Sequence, residues 1–177
     1  MEYKGINIIT VFIIILLIIS IFFAGKYIFT KLNFEQPLRE EIAKLPGTEG
    51  IYLHNSSEQI TIVLEVGNNI NIYKYYNQIL TIIDHNLKNQ DFQIKLKTDN
   101  SNLDDVYYQL QFLIYEGIAT QRFTTMKDRF DNIAGEYDLS DYKLWVDESH
   151  IYIMLAVSGD SYYKVIPRTG SRGENSG

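Results

Sequence analysis

The chain contains no cysteine among its 177 residues. This absence excludes disulfides, thiol nucleophiles, thiolate zinc sites, iron–sulfur ligation and lipid attachment through a thiol. Basic residues are also scarce, since 16 Lys and Arg stand against 22 Asp and Glu and leave a net charge of −6. A nucleic-acid-binding protein needs a basic face to neutralise phosphates. We therefore expect no nucleic-acid partner.

Motifs for catalysis and cofactor binding are missing as well. The sequence has no G-x-G-x-x-G segment and no Walker loop, so it gives no support for nucleotide binding. Asp147, Ser149 and His150 are the residue types of a hydrolytic triad, but one tight hairpin cannot bring three such side chains together. Ser161-x-x-Lys164 matches a short motif of penicillin-binding enzymes, but there the serine opens a buried helix, whereas here we expect it to open a strand. We predict that the protein is not an enzyme and holds no cofactor.

The histidines lack the spacing of a metal site. His54, His85 and His150 are expected at a strand end, on a helix and in a hairpin. None is paired with another histidine at i+2, i+3 or i+4, and we interpret all three as solvated surface residues. Residues 99–104 are acidic enough to suggest a calcium loop, but Leu103 interrupts the alternating oxygen ligands. We therefore predict no metal site.

Residues 6–25 form an uncharged run of 20 residues in which only Asn7, Thr10 and Ser20 are polar. At about 1.5 Å per residue, a helix of this length spans the roughly 30 Å hydrocarbon core of a bilayer. A buried helix of a soluble domain keeps a polar face, and this run has none. The run is also longer than the apolar part of a cleaved signal peptide. We predict an uncleaved transmembrane anchor over residues 6–29, with the lipid bilayer as its partner.

Two opposing signals indicate on which side of the membrane the rest of the chain lies. Lys and Arg are more frequent just after the anchor than before it, and the positive-inside rule then favours a cytoplasmic domain. An N-terminal anchor with a folded domain after it, in contrast, commonly acts as a signal-anchor that exports its C-terminal part. We favour a single-pass protein of the cell membrane with an extracytoplasmic domain, and the cytoplasmic orientation stays the alternative.

The remaining residues divide into two tails, a linker and a domain. We predict a short N-terminal tail over 1–5, a juxtamembrane linker over 30–36, one α+β domain over 37–168 and a disordered tail over 169–177. Residues 35–168 hold 20 acidic and 12 basic residues, a net charge of −8. Such a domain is soluble and is not attracted to anionic lipid.

Hydrophobic periodicity predicts the elements of this domain. In its first part we expect a helix over 37–45, strands over 50–54 and 59–66, a helix over 70–88 and a strand over 92–97. In its second part we expect a helix over 101–120, a helix that begins at the capping box Thr125-x-x-Asp128, and a meander of strands over 142–146, 151–157 and 162–166. Helices that alternate irregularly with mostly antiparallel strands define the α+β class.

Residues 37–97 carry a pattern known from small extracytoplasmic modules. Leu45-Pro46-Gly47 ends the first helix, a turn leads into Ile51-Tyr52-Leu53, and residues 60–66 alternate as a strand. This helix–strand–strand–helix–strand order resembles BON domains and the ring-building modules of spore-assembly and secretion-channel proteins. The resemblance covers about a third of the chain, and the glycine-rich strand signature of a BON domain is missing. Such modules act by assembly or surface binding, so the resemblance implies a non-catalytic role.

The predicted helix over 101–120 has two apolar stripes. The first consists of Leu103, Val106, Tyr107, Leu110, Ile114, Gly117 and Ile118. The second consists of Tyr108, Phe112, Tyr115, Ala119 and Phe123. We expect the following helix, 126–137, to cover the second stripe, which makes Phe112 a core residue. The alternative is that Tyr108, Phe112 and Tyr115, hereafter the aromatic stripe, form a partner surface, because exposed tyrosine and phenylalanine are favoured interface anchors.

These observations favour a non-enzymatic, membrane-anchored protein whose α+β domain serves assembly or protein interaction. Its partner is then another protein or a second copy of the chain. The alternative is a membrane-tethered binding module for a small ligand or an envelope polymer, built on the surface of a chain that contains 14 tyrosines.

Overall fold

The N-terminal part of the protein is a long apolar helix. The computed structural model describes residues 2–3, 6–30, 35–56, 59–87, 91–97 and 101–168. Two-residue strands, β1 (Glu2–Tyr3) and β2 (Ile6–Asn7), pair antiparallel and lead into α1 (Ile8–Thr30). The window Ile9–Lys26 is exposed throughout, and its length and composition would allow it to cross a membrane. The predicted tail 169–177 lies outside the described residues, as do residues 31–34 of the predicted linker.

The first half of the domain is a three-stranded sheet covered on one face by two helices. Its elements are α2 (Gln36–Ala43), β3 (Thr48–Asn55), β4 (Ile60–Val66), α3 (Ile72–Leu87) and β5 (Phe92–Lys97). The hairpin β3–β4 is antiparallel, and β5 pairs parallel to β4. Gly47 has a φ of +96°, a conformation that glycine adopts without strain, and it turns the chain from α2 into β3. Ile60, Ile62 and Leu64 are buried on the helix-covered face, which confirms the alternation predicted for this strand.

The second half of the domain is a meander sheet covered by two further helices. Its elements are α4 (Ser101–Thr120), α5 (Phe123–Ala134), β6 (Asp141–Val146), β7 (His150–Val157) and β8 (Asp160–Pro167). The strand order β6-β7-β8 is antiparallel throughout and confirms the predicted meander. With the first sheet and five helices in the described part of the chain, the architecture is α+β, as predicted.

The start of α5 differs from the prediction. The helix begins at Phe123, so the expected capping box at Thr125 and Asp128 lies inside it. Arg122 precedes the helix and makes no side-chain cap. Phe123 is instead half-buried, with the guanidinium carbon of Arg168 4.3 Å from its ring centre. The first helical residue thus packs against the residue that follows β8, and no side-chain cap is present at the helix start.

Strand β7 is buried on both faces and joins the two halves of the domain. One face contributes to the first core, together with α2, α3 and the first sheet; its residues are Tyr152, Met154 and Ala156. The other face contributes to the second core, together with α4 and α5; its residues are Ile151, Ile153 and Leu155. Because both cores contain residues of β7, each half of the domain supports the other.

Candidate interaction surface on the fourth helix

Helix α4 presents opposite faces to the protein and to solvent. The inner face is buried in the second core and consists of Leu103, Val106, Leu110, Leu113 and Ile114. These positions recur at the three- and four-residue spacing of one side of a helix. The prediction that one apolar stripe of this helix packs on the sheet is therefore confirmed for the side that contains Leu110.

The aromatic stripe lies on the outer face of α4. Tyr108 is 56% exposed, Phe112 64% and Tyr115 56%. The rings of Tyr108 and Phe112 meet edge to face with their centres 5.7 Å apart, so part of the stripe is ordered by its own contacts. We expected the following helix to cover this side and Phe112 to be a core residue. Both expectations are wrong.

The packing of α5 explains why the aromatic stripe is uncovered. Met126 of α5 packs directly against Gly117 of α4, on the side of the helix opposite Phe112. The lack of a side chain at Gly117 lets the two helices approach closely there. Arg129 of α5 pairs with Glu116 at 2.5 Å at the border of this contact. Helix α5 therefore covers the Gly117 side, and the side with the three aromatic residues faces solvent.

Charged residues flank the aromatic stripe at its two ends. Asp104 and Asp105 are exposed in the first turn of α4, and Arg122 is exposed two residues after the helix ends. Gln109 and Ala119 are exposed beside the rings. Asp104 is hydrogen-bonded to Tyr162, and exposed Glu116 beside Tyr115 pairs with Arg129. The aromatic centre thus has exposed Asp105 before it and exposed Arg122 after it.

The structure corrects the expectation for His150. His54 and His85 are exposed, as predicted, but His150 is only 3% exposed. Its ring lies against Tyr76 and Tyr152, with ring centres 5.4 Å and 5.8 Å away. His150 opens β7, and the residues after it are buried on both faces of the sheet, so the start of the strand is buried as well.

Asp147 closes the turn between β6 and β7. One carboxylate oxygen accepts hydrogen bonds from the backbone N–H groups of Ser149 and His150, at 2.8 Å and 2.7 Å. The other accepts one from the Tyr152 hydroxyl at 2.7 Å. Burial works to raise the pKa of Asp147, but these hydrogen bonds outweigh it and hold the pKa below its usual value. The carboxylate thus stabilises the turn between β6 and β7.

The remaining sequence matches to catalytic motifs also have structural uses. Ser161 opens a strand, as predicted, and binds the loop before α3: its N–H donates to Asn68, and its hydroxyl oxygen accepts from the Asn69 N–H. Lys164 instead has its ammonium nitrogen 5.4 Å from the centre of the Tyr107 ring. The two residues of the serine–lysine match therefore serve separate contacts.

Among the described residues, no group of three or more histidine, aspartate or glutamate side chains could hold a metal ion. The most distinctive surface in this part of the chain is therefore the aromatic stripe with its charged ends. The three residues were predicted as an alternative partner surface, and they lie together and exposed on α4. Comparison with family models, with curated proteins and with solved structures finds no match to this chain.

Proposed function

We propose that the protein is a non-enzymatic, single-pass membrane protein whose α+β domain serves assembly or protein interaction. The observation that carries the proposal is the exposure of Tyr108, Phe112 and Tyr115 on one face of α4. Clustered aromatic side chains on a soluble domain are typical of binding surfaces. The order α2-β3-β4-α3-β5 also supports a non-catalytic role, because the modules that it resembles act by assembly or surface binding.

The membrane part of the proposal rests on α1. Its side chains from Ile9 to Lys26 are exposed and uncharged up to the final lysine, and a bilayer would remove this apolar surface from water. We place the domain outside the cytoplasm. Protease added to intact spheroplasts should then degrade residues 35–168 and leave a short membrane-bound fragment. Protection of the domain until lysis would contradict this orientation.

The interaction part is tested with two matched double variants of the full chain. Tyr108→Ser with Tyr115→Ser removes two exposed rings of the aromatic stripe. Tyr52→Ser with Tyr137→Ser removes two exposed tyrosines elsewhere, which are 48% and 37% exposed. Both variants should keep the melting temperature, because exposed substitutions usually cost less than about 0.5 kcal/mol. Only the first should lose the proteins that copurify with the tagged chain from membranes. Equal binding by both variants would contradict the proposal.

The second candidate is a membrane-tethered module that binds a small ligand or an envelope polymer. It is favoured by the outer face of the first sheet, where Tyr52 is exposed and its hydroxyl donates to Glu65 at 3.3 Å. Lys97 pairs with the same carboxylate at 2.8 Å and holds the pKa of Glu65 below its usual value. An aromatic ring beside a fixed polar pair suits a carbohydrate. A rise in melting temperature with cell-wall fragments, lost in Tyr52→Ser, would favour this candidate.

A further inference from the structure

The spacing of the exposed residues on α4 matches a helix–helix seam. Asp105, Tyr108, Phe112, Tyr115 and Ala119 follow one another at intervals of three, four, three and four residues, and all five are exposed. This is the a/d spacing by which two helices pack along their length at a small crossing angle. The occupant that fits this face best is therefore another helix with the same spacing.

We propose that this face binds the α4 helix of a second copy of the chain, antiparallel and centred on Phe112. This inference rests on the proposed function and names its partner. A two-fold axis at Phe112 places Tyr108 of each copy beside Tyr115 of the other. It also brings the two ends of the face together, so that exposed Asp105 of one copy lies near exposed Arg122 of the other. Asp105 and Arg122 carry opposite charges, and they meet between two copies only in this antiparallel arrangement.

The size of the surface indicates how strong the association is. An aromatic side chain buries roughly 150–250 Å² when fully covered, and more than half of each ring is exposed here. Pairing through the three rings thus buries about 600 Å² in total, below the roughly 1,200 Å² of the smallest stable complexes. Association is therefore weak in dilute solution. Confinement of both copies to one bilayer raises their effective concentration, and there the dimer forms.

Engineered disulfides test the arrangement in membranes, on a chain that has no cysteine of its own. Residues 105 and 119 lie at equal distances on either side of Phe112. In the antiparallel pair, residue 105 of one copy faces residue 119 of the other, while the two copies of residue 119 lie about 21 Å apart along the helices. A disulfide needs Cα atoms closer than about 7 Å. The full chain carrying either Asp105→Cys or Ala119→Cys should therefore stay monomeric under mild oxidation, and a mixture of the two should form a covalent dimer.

The control for this experiment is Asp128→Cys, at an exposed position on α5. Mixed with Ala119→Cys, it should give no dimer. Cross-linking of either single variant with itself would indicate a parallel pair and overturn the proposal. A mixture of Asp105→Cys and Ala119→Cys that gives no more dimer than the control mixture would overturn it as well.

Charge reversal tests the same pairing without cysteine. Asp105→Arg and Arg122→Asp should each raise the dissociation constant about three- to tenfold, measured by energy transfer between labelled full chains in liposomes. One exposed ion pair changes the binding free energy only modestly, and the two-fold symmetric dimer contains two copies of the pair. The double variant restores opposite charges and should recover the affinity of the original chain, whereas Asp128→Arg should change nothing. Failure of the double variant to recover affinity would overturn the antiparallel register.

The two proposals can fail separately. In one outcome, the chain does not self-associate at any protein density in liposomes, but Tyr108→Ser with Tyr115→Ser still removes a different copurifying protein. The second copy is then wrong as the partner, and the proposed function stands. If neither self-association nor copurification depends on the aromatic stripe, both proposals fail.

Discussion

Leu110 and Phe112 lie two residues apart on α4, and the structure gives opposite expectations for their truncation. Leu110 is fully buried in the second core, while Phe112 is 64% exposed. Leu→Ala in a core costs about 2.7–5 kcal/mol, since apolar burial is lost and a cavity remains. At about 2–4 °C per kcal/mol for a chain of this size, Leu110→Ala should lower the melting temperature by roughly 10 °C. Phe112→Ala should change the free energy of unfolding by no more than about 0.5 kcal/mol.

The assay is thermal unfolding of the full chain in mild detergent, followed by near-UV circular dichroism. Its signal comes largely from tyrosines and from Trp145, the single tryptophan, which lies in β6. Retention of α1 as a helix in detergent therefore does not obscure the transition. The protein is kept dilute, so that association through the aromatic stripe adds no stability. A loss of more than about 2 kcal/mol in Phe112→Ala would show that this ring is part of the core and would refute the partner surface.

Three further variants and conditions test the packing and the buried polar groups. Gly117→Val should cost about 1–3 kcal/mol in a denaturant melt, because its Cβ meets the Met126 side chain between α4 and α5; no loss would mean that the helices are not in close contact. Tyr152→Phe should cost about 1.5–3 kcal/mol at pH 7, because it removes the hydroxyl that donates to the Asp147 carboxylate. Because the pKa of Asp147 is lowered in the folded chain, its ionised carboxylate stabilises the fold at pH values above about 4. This stability is lost as the pH falls through the folded-state pKa. Tyr152→Phe should therefore lose less stability than the original chain between pH 7 and pH 3. Burial raises the pKa of Tyr107 to about 12. Between about pH 10 and pH 12 only the unfolded chain releases the Tyr107 proton, so the free energy of unfolding should fall over this range. Tyr107→Phe should reduce that fall.

The order of helices and strands in the domain could be predicted because each segment has one dominant period. Ile60, Ile62 and Leu64 alternate, and Ile72, Ile79 and Ile83 recur at helical spacing, so both patterns identify their element and its buried face. The meander was predictable for the same reason. Residues 151–157 are an unbroken apolar run, which is typical of a strand buried on both faces, and β7 is such a strand.

The burial of His150 follows from the position of β7 between the two cores. A histidine beside a polar turn is ordinarily solvated, but here the turn leads directly into the two-sided core. The apolar run that starts at Ile151 was the available signal. The start of α5 is not predictable from local pattern either, because the contact between Phe123 and Arg168 joins residues 45 positions apart.

The two stripes of α4 could be found in the sequence, but not which of them is covered. Tyrosine and phenylalanine suit both a core and an interface, so residue type does not decide between Leu110 and Phe112 as the inner side. The decision depends on where α5 packs, and that is set by the small residue Gly117, which admits Met126. The predicted inner stripe includes Gly117, but its spacing alone does not identify Gly117 as the contact with α5.

The layering of the domain explains why the outer face of α4 has no partner within the described chain. Strand β7 is covered on one side by the first core and on the other by α4 and α5. Since α5 packs beside α4 at Gly117 and not on top of it, α4 belongs to the outermost layer. Folding requires apolar side chains only on the inner side of such a helix, and its outer side is ordinarily polar. Tyr108, Phe112 and Tyr115 are more than half exposed and therefore contribute little to the stability of the fold.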